Sequence, residues 1–262
     1  MKTVVISGAS SGIGRALSVI FVKEGYIVYN LSRRPSNVDG VISVRTDVTD
    51  EQSVRDAFAK IENESESVDI VVANAGFGIS GAVEFTDTEE AKRQFDINFF
   101  GVLNVVKAAM PALRRSRGRI MATSSVAAVY AIPFQSFYSA SKASVTMMMS
   151  ALANEVRPFG VSACSVMLGD TKTGFTDARE KIHKGDDVYS GAISKSVAVM
   201  EHDERHGASP EKIAQKIAKI AKRRRVKNKY VVGFAYKFLA FLDKILPAAA
   251  VNRLVGMIYI KK

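Results

Sequence analysis

The chain has 262 residues, 47% of them hydrophobic, and a formal net charge of +11. This length suffices for one large core, so we expect a single domain over residues 1–262. The one cysteine, Cys164, excludes an intramolecular disulfide and favours a reducing, cytoplasmic location. No apolar run reaches the ~20 residues of a membrane-spanning helix. We expect no signal peptide, because the first apolar run, Val4–Ile6, is too short.

Strands and helices alternate in the first part of the chain. The pattern predicts strands at 3–7, 27–31, 41–45, 69–73, 119–123 and 161–167, with helices at 13–24, 50–62, 88–113 and 137–155. Continuous apolar strands separated by helices predict an α/β fold with a parallel sheet covered on both faces. Residues 171–208 have no clear period and are predicted to be a structureless lid. A further helix is predicted from 210 to about 225.

A glycine-rich turn connects the first predicted strand to the first predicted helix. Its sequence is Gly8-Ala9-Ser10-Ser11-Gly12-Ile13-Gly14. Glycines allow a tight turn and a close approach of the backbone to a ligand. A helix that begins there presents free N–H groups and the positive end of its dipole to a pyrophosphate. In this position the turn predicts dinucleotide binding, whereas a tight connection without a ligand is the alternative.

The end of the second strand indicates which dinucleotide the chain binds. In dinucleotide-binding folds an acidic residue there binds the ribose 2′-hydroxyl, and an arginine accommodates a 2′-phosphate. Here the strand ends Leu31-Ser32-Arg33-Arg34, and no acidic residue lies between Glu24 and Asp39. Two guanidinium groups suit a phosphate better than a diol, so we expect NADP(H). The alternative is a solvated surface pair.

Tyr138 and Lys142 stand four residues apart and therefore share a helix face. A free tyrosine titrates near pH ~10. We expect the nearby ammonium group to lower that pKa and make Tyr138 a proton donor or acceptor. Ser125 lies thirteen residues upstream of Tyr138. Alone, the Tyr–Lys spacing also fits an ordinary solvated helix face; the glycine turn makes the catalytic interpretation stronger.

Together these motifs resemble the short-chain dehydrogenase/reductase family. The resemblance covers about residues 1–170, in order, and is carried by Ser7 to Gly14, Asn74-Ala75-Gly76, Asn98, Ser125 and Tyr138-Ser139-Ala140-Ser141-Lys142. It implies a single, doubly wound Rossmann-type domain with a seven-stranded parallel sheet whose last strand is residues 230–232. It also implies hydride transfer between a nicotinamide and a carbonyl or alcohol, and a homodimer or homotetramer.

The resemblance assigns catalytic roles by position. Tyr138 would donate the proton, Lys142 would lower its pKa and bind the nicotinamide ribose, and Ser125 would hydrogen-bond the substrate oxygen. Asn98 would hold a water that links Lys142 to solvent. Ser124 adjoins Ser125, and only the spacing selects between the two.

The resemblance also assigns cofactor contacts beyond the glycine turn and the arginines. The adenine and its ribose would lie beside Asp47, Val48, Asn74, Ala75 and Gly76, and the nicotinamide carboxamide beside Gly169, Thr171 and Thr173. The chain departs from the family pattern at Leu168, where proline is frequent, and at Ser7, where threonine is usual.

Apolar residues predict the substrate cleft. They comprise the segment 126–137 with Leu168, Phe175, Val188 and Tyr189. An apolar lining with few polar groups suits a hydrophobic ketone, although ordinary core packing is the alternative. With the long lid, this segment is similar to the hydroxysteroid and retinol dehydrogenases. We therefore expect reversible, NADPH-dependent reduction of a steroid-like or lipid-like ketone.

A non-catalytic nucleotide-binding scaffold or sensor is the alternative, but such a protein does not need the proton chemistry of Asn98, Ser125, Tyr138 and Lys142. We expect no metal site, because His183, His202 and His206 have no partners at metal-ligand spacing and are predicted to be solvated.

The C-terminal segment, residues 209–262, is strongly basic, with 14 Lys/Arg against 2 Asp/Glu. Its basic run is followed by an apolar, aromatic stretch at 234–260. This combination suits peripheral contact with an anionic membrane surface. Nucleic acid binding is not expected, since no recognition motif accompanies the basic run. The other interpretation is a solvated helix and a segment that closes the substrate pocket or packs on a second subunit.

Overall fold

The central sheet is formed by apolar strands, as the alternating pattern predicts. The computed structural model describes residues 1–260. Its strands are β1 Thr3–Ser7, β2 Ile27–Ser32, β3 Val41–Arg45, β4 Ile70–Ala73, β5 Ile79–Ser80, β6 Arg119–Ser125, β7 Ser162–Leu168, β8 Glu180–Lys181 and β9 Lys229–Val231. Seven of them pair in parallel in the order β3-β2-β1-β4-β6-β7-β9. The predicted doubly wound, seven-stranded sheet is therefore confirmed.

Helices cover both faces of this sheet. They are α1 Gly12–Lys23, α2 Glu51–Glu64, α3 Thr88–Phe95, α4 Gly101–Ser116, α5 Ser136–Glu155, α6 Phe175–Ala178, α7 Ala192–Arg205, α8 Pro210–Ala221, α9 Phe234–Ile245 and α10 Ala248–Tyr259. Successive strand residues point to opposite faces. Val5 packs with apolar residues of α2, α4 and α5, whereas Val4 and Ile6 pack with those of α1 and α8. Cys164 is fully buried in the second of these clusters, as expected for a core thiol.

The order of the strands places a crevice at one edge of the sheet. From β1 the chain moves outward to β2 and β3, and then returns to the other side with β4. In open parallel sheets, ligands bind at the carboxyl ends of the strands where the order reverses in this way. Gly8 follows β1 and Asn74 follows β4, so both lie at this point.

The long helix predicted at 88–113 is interrupted. Asp96–Phe100 forms a π-helical turn between α3 and α4, and α4 continues through Pro111 to Ser116. The side chain of Asn98, in the middle of this turn, is buried and bonded to the backbone of Phe77. These tertiary hydrogen bonds, which have no local sequence signal, stabilise the irregular turn.

The prediction of a structureless lid is wrong. Residues 171–208 contain α6, β8 and α7, and β8 pairs in parallel with β5. On α7 the buried positions are Ile193, Ser196, Val197 and Met200, a helical spacing that the polar Ser196 obscures.

The helix predicted to reach residue 225 ends at Ala221. A continued helix would bring Lys219 beside Lys222 and Arg223, and like charges three or four residues apart repel each other. After β9 the chain forms α9 and α10, which we call the roof helices. None of the helices within residues 1–260 is both long enough and apolar enough to cross a membrane.

Candidate active site

The glycine turn has the geometry that a pyrophosphate site requires. Gly8 and Gly12 have positive φ angles of 72° and 53°, which strongly favour glycine. A Cβ on Gly14 would lie 2.4 Å from the carbonyl oxygen of Gly8, so the turn and α1 touch backbone to backbone. No side chain caps the N-terminus of α1 at Ser11. The first N–H groups of the helix therefore face the cleft unpaired, which fits a phosphate group.

Hydrogen bonds from neighbouring strands hold this turn. The Ser7 hydroxyl accepts hydrogen bonds from the backbone N–H groups of Asn74 (2.9 Å) and Ala75 (3.0 Å). Serine at this position therefore supplies the hydroxyl that threonine usually supplies in the family. Asn30, buried within β2, accepts from the N–H of Ala9 at 3.0 Å. Sequence reasoning missed Asn30, although a polar residue inside an apolar strand was the available signal.

The arginines at the end of β2 lie beside the residues predicted to contact adenine. Ser32, Arg33, Arg34, Asp47 and Val48 line the same cleft as the glycine turn. Burial acts to raise the pKa of Asp47, but hydrogen bonds from Thr49 and the charge of Arg33 outweigh it and lower that pKa. Arg33 therefore lies close to Asp47. Both arginines are exposed.

Tyr138 and Lys142 project from α5 toward the carboxyl end of β6. Lys142 is buried, and its Nζ lies 5.8 Å from the centre of the Tyr138 ring and donates to the carbonyl of Thr123 at 3.1 Å. The Ser125 hydroxyl lies close enough to Tyr138 to lower its pKa. Ser124 instead donates to the backbone oxygen of Lys142 at 3.0 Å, within the core. The structure thus brings Ser125, and not Ser124, to the tyrosine.

The pKa of Tyr138 is not lowered in this arrangement. Burial raises it to about 12, and the Ser125 hydroxyl offsets only part of that rise. Burial also lowers the pKa of Lys142 to about 8. Burial dominates this shift, and the role of Lys142 in lowering the pKa of Tyr138 stays a prediction. Tyr138 is protonated at neutral pH and can act as a proton donor.

Asn98 lies beneath this pair. Its Oδ1 accepts from the N–H of Phe77 at 2.8 Å, and its Nδ2 donates to Ser141 Oγ at 3.1 Å. The Ser141 hydroxyl donates to the backbone oxygen of Tyr138 at 2.8 Å. A Cβ on Gly76 would lie 3.5 Å from both Asn98 Oδ1 and Lys142 Nζ, so the groups converge around Gly76. The role of Asn98 in holding a water stays a prediction.

The loop after β7 closes the cleft on the side opposite the glycine turn. Gly169, Thr171 and Thr173 all line the cleft, as predicted. The Thr171 hydroxyl donates to the carbonyl of Gly169 at 3.0 Å. The side chain of Thr173 lies 3.5 Å from the position of a Cβ on Gly12. The loop and the turn thus face each other across a space that suits an extended dinucleotide.

The whole cleft has a volume of about 1120 Å³. Six of the predicted apolar residues line it: Val126, Ala127, Tyr130, Ile132, Leu168 and Phe175. The predictions for Val188 and Tyr189 are wrong. Val188 is 66% exposed, and the Tyr189 hydroxyl donates to Glu84 while its ring packs against Phe134. Both residues lie on the outer side of the lid.

The roof helices and the turn between them supply much of the apolar lining. These residues are Tyr236, Leu239, Leu242, Leu246, Val251, Leu254, Val255, Ile258 and Tyr259. The ring of Tyr236 lies directly over Gly169, where a Cβ would be 2.0 Å from the ring. The interpretation in which the C-terminal segment closes the pocket is therefore confirmed. Its individual residues were missed, because nothing local in the sequence shows what an apolar helix covers.

The three histidines lie outside the cleft and are exposed, as predicted. Within residues 1–260, no three or more His, Cys, Asp and Glu side chains are grouped so that they could hold a metal ion.

Comparison with known proteins defines the class. The family model described as short chain dehydrogenase matches residues 2–184. The 3-ketodihydrosphingosine reductase of Bacteroides thetaiotaomicron is 41% identical over 236 residues, 88% of each chain. The NADPH-dependent 1-acyldihydroxyacetone phosphate reductase of Schizosaccharomyces pombe is 34% identical over 179 residues, 66% of this chain and 60% of that one.

A solved structure agrees with this. The short-chain dehydrogenase from Streptomyces avermitilis is similar with a TM-score of 0.83 and 25% identity, over 96% of this chain and 95% of that one. The chain belongs to the short-chain dehydrogenase/reductase family. It is accordingly an oxidoreductase that uses a nicotinamide cofactor.

Proposed function

We propose that this protein is an NADPH-dependent reductase of long-chain, lipid-like ketones. The observation that carries the proposal is the aliphatic roof. Leu239 and Leu242 of α9, Leu246 directly after it and residues of α10 extend the cleft beyond the catalytic group. A small polar ketone would leave this surface without a partner, whereas a hydrocarbon chain gains ~25 cal/mol for each Å² of apolar surface that it buries.

The relatives support the same substrate class. The 41% identical Bacteroides protein is named for 3-ketodihydrosphingosine, and the fission yeast protein for an acyl-bearing dihydroxyacetone phosphate. The steroid-like substrate that the segment before Tyr138 also suggested remains the second choice, because the roof favours an elongated molecule.

The preference for NADPH is proposed from Ser32, Arg33 and Arg34. Two exposed guanidinium groups at the end of β2, with no carboxylate on that strand end, suit a 2′-phosphate. The fission yeast relative is named as NADPH-dependent, which agrees with this choice.

The proposed chemistry divides between cofactor and protein. A bound nicotinamide would supply the hydride. The Ser125 hydroxyl orients the substrate oxygen, and Tyr138, protonated at neutral pH, donates its proton to that oxygen. Lys142 and Asn98 hold the tyrosine in place and restore its proton. A catalytically inactive scaffold would not need this buried lysine, whose desolvation is costly.

The test is NADPH oxidation, followed by absorbance, with three ketones. They are 3-ketodihydrosphingosine, a steroid ketone and a small water-soluble ketone, each assayed with wild type and with Tyr138→Phe. The proposal expects the highest kcat/KM for the long-chain ketone and no turnover by the variant. Preference for the steroid or the small ketone would reject the lipid assignment. Turnover of none of the three by a protein that binds NADPH would favour the scaffold.

A further inference from the structure

Helix α9 has a second apolar face that points away from the cleft. Phe234, Phe238, Phe241 and Ile245 recur at intervals of four, three and four residues, which places them on one side of the helix. They are 89%, 57%, 56% and 59% exposed. None of the four lines the cleft. We call them the outer stripe.

The roof helices are held to the protein by few buried residues. No residue of α9 is buried, and in α10 only Val255 is. Leu239, Leu254 and Ile258 line the cleft and yet are 40–46% exposed, so they border its mouth. Exposed apolar side chains therefore continue from the cleft mouth onto the outer surface. Contiguous apolar surface of this kind marks an interaction site.

The charge around this surface is positive. The roof helices carry three Lys/Arg (Lys237, Lys244 and Arg253) and a single acidic residue, Asp243. Lys237 and Lys244 lie seven residues apart on α9 and flank the outer stripe on one side. Both are exposed. An exposed aromatic stripe bordered by lysines is typical of helices that lie in an anionic membrane interface.

We propose that the outer stripe docks on an anionic lipid surface, with the mouth of the cleft facing the lipid. A second copy of the chain is the competing partner, because the family resemblance implies an oligomer. A two-fold contact would bring the same patch of each chain together and would oppose two positive surfaces. Lipid headgroups of negative charge neutralise the lysines while the acyl region accepts the phenylalanines. An anionic lipid surface thus accounts for both the flanking lysines and the exposed phenylalanines.

The experiment is flotation of the purified protein with vesicles of phosphatidylcholine alone and of equal parts phosphatidylcholine and phosphatidylglycerol, at low and high salt. We expect binding to the anionic vesicles at low salt, and release by salt, because charges are screened over ~8 Å at physiological ionic strength. Lys237→Ala with Lys244→Ala should weaken binding roughly thirtyfold, since each basic residue near the surface contributes ~1 kcal/mol.

The apolar contribution needs its own variants. Phe238→Glu with Phe241→Glu should abolish flotation. Phe159→Glu is the matched control, because Phe159 is similarly exposed, at 52%, and lies outside the roof. Thermal melting and NADPH binding should be unchanged in all variants, which separates docking from folding and catalysis. Absence of wild-type flotation at low salt, or flotation unaffected by the Phe238→Glu/Phe241→Glu pair, overturns the proposal. A dimer in solution that this pair dissociates would assign the outer stripe to a second copy instead.

Discussion

The hydroxyl of Tyr236 lies 2.5 Å from the carboxylate of Asp170 and accepts a hydrogen bond from the N–H of the same residue at 3.0 Å. Tyr236 belongs to the first roof helix, and Asp170 follows Gly169 in the loop predicted to contact the nicotinamide. Burial raises the pKa of Tyr236 above its ordinary value, so the hydroxyl stays protonated and donates. This contact fixes the roof to the cofactor loop.

Tyr236→Phe should therefore loosen the roof without disturbing the catalytic group. A hydrogen bond to a charged group contributes ~1.5–3 kcal/mol, so we expect KM for the long-chain ketone to rise roughly tenfold or more. The kcat for a small soluble ketone should change little. Steady-state kinetics with both ketones measures the difference. Tyr189→Phe, which removes a hydroxyl outside the cleft, should leave both values as in wild type; equal KM values for Tyr236→Phe and wild type would contradict the prediction.

Tyr138→Phe should abolish turnover and spare NADPH binding. It removes the proton donor and leaves the ring in place against Phe175. General acid catalysis contributes ~10²–10⁴-fold, so the rate should fall at least a hundredfold. Single-turnover kinetics and fluorescence titration with NADPH measure the two properties. A rate close to that of wild type would refute the assignment of the proton donor.

Ser125→Ala and Ser124→Ala should behave differently. Ser125 lines the cleft beside Tyr138 and is proposed to bind the substrate oxygen, so its loss should reduce kcat/KM by about tenfold to a hundredfold, corresponding to ~1.5–3 kcal/mol. Ser124 bonds to the backbone of Lys142 and to Thr146, so its loss should lower the melting temperature more than it lowers kcat. Melting curves and steady-state kinetics of both variants show which serine has the catalytic role and which the structural one. The reverse pattern would move the catalytic role to Ser124.

Arg33→Ala should weaken NADPH binding about tenfold to a hundredfold and leave NADH binding nearly unchanged. The physical reason is the loss of a charge-assisted hydrogen bond to the 2′-phosphate, which NADH lacks. Isothermal titration with each cofactor gives the two dissociation constants. Arg15→Ala, which removes an exposed guanidinium bonded to Asn37, is the control. A similar loss for NADPH and NADH would show that Arg33 does not contact the 2′-phosphate.

The parts of the site that the sequence predicts well are local or tied to strand ends. The glycine turn is predicted from its place after the first strand, and Tyr138 and Lys142 from their spacing along one helix. Ser125 is predicted from its spacing to Tyr138, and Asn74 from the family resemblance. What the sequence could not predict depends on distant partners or on burial. Tyr236 and Asp170 are 66 residues apart. The raised pKa of Tyr138 follows from the depth of the cleft, which no spacing reveals.

The helix and the short strand of the lid, residues 171–208, could not be predicted from the sequence either. The apolar residues of α7 do have helical spacing, but Ser196 takes one buried position and hides the period. The short pairing of β5 with β8 involves two residues on each strand, too few for an alternating pattern. Both elements depend on contacts with distant parts of the chain, which a local pattern does not reveal.

The close fit of Tyr236 over Gly169 links two positions that must change together. Any side chain at position 169 would collide with the ring, whose nearest atom lies 2.0 Å from the place of a Cβ. Loss of the ring would in turn open space in which an alanine at 169 is tolerated. In related chains, a glycine after the sixth strand of the main sheet should therefore coincide with an aromatic residue in the roof. The pair of this glycine with an aromatic residue in the roof thus offers a sequence marker for a covered cleft.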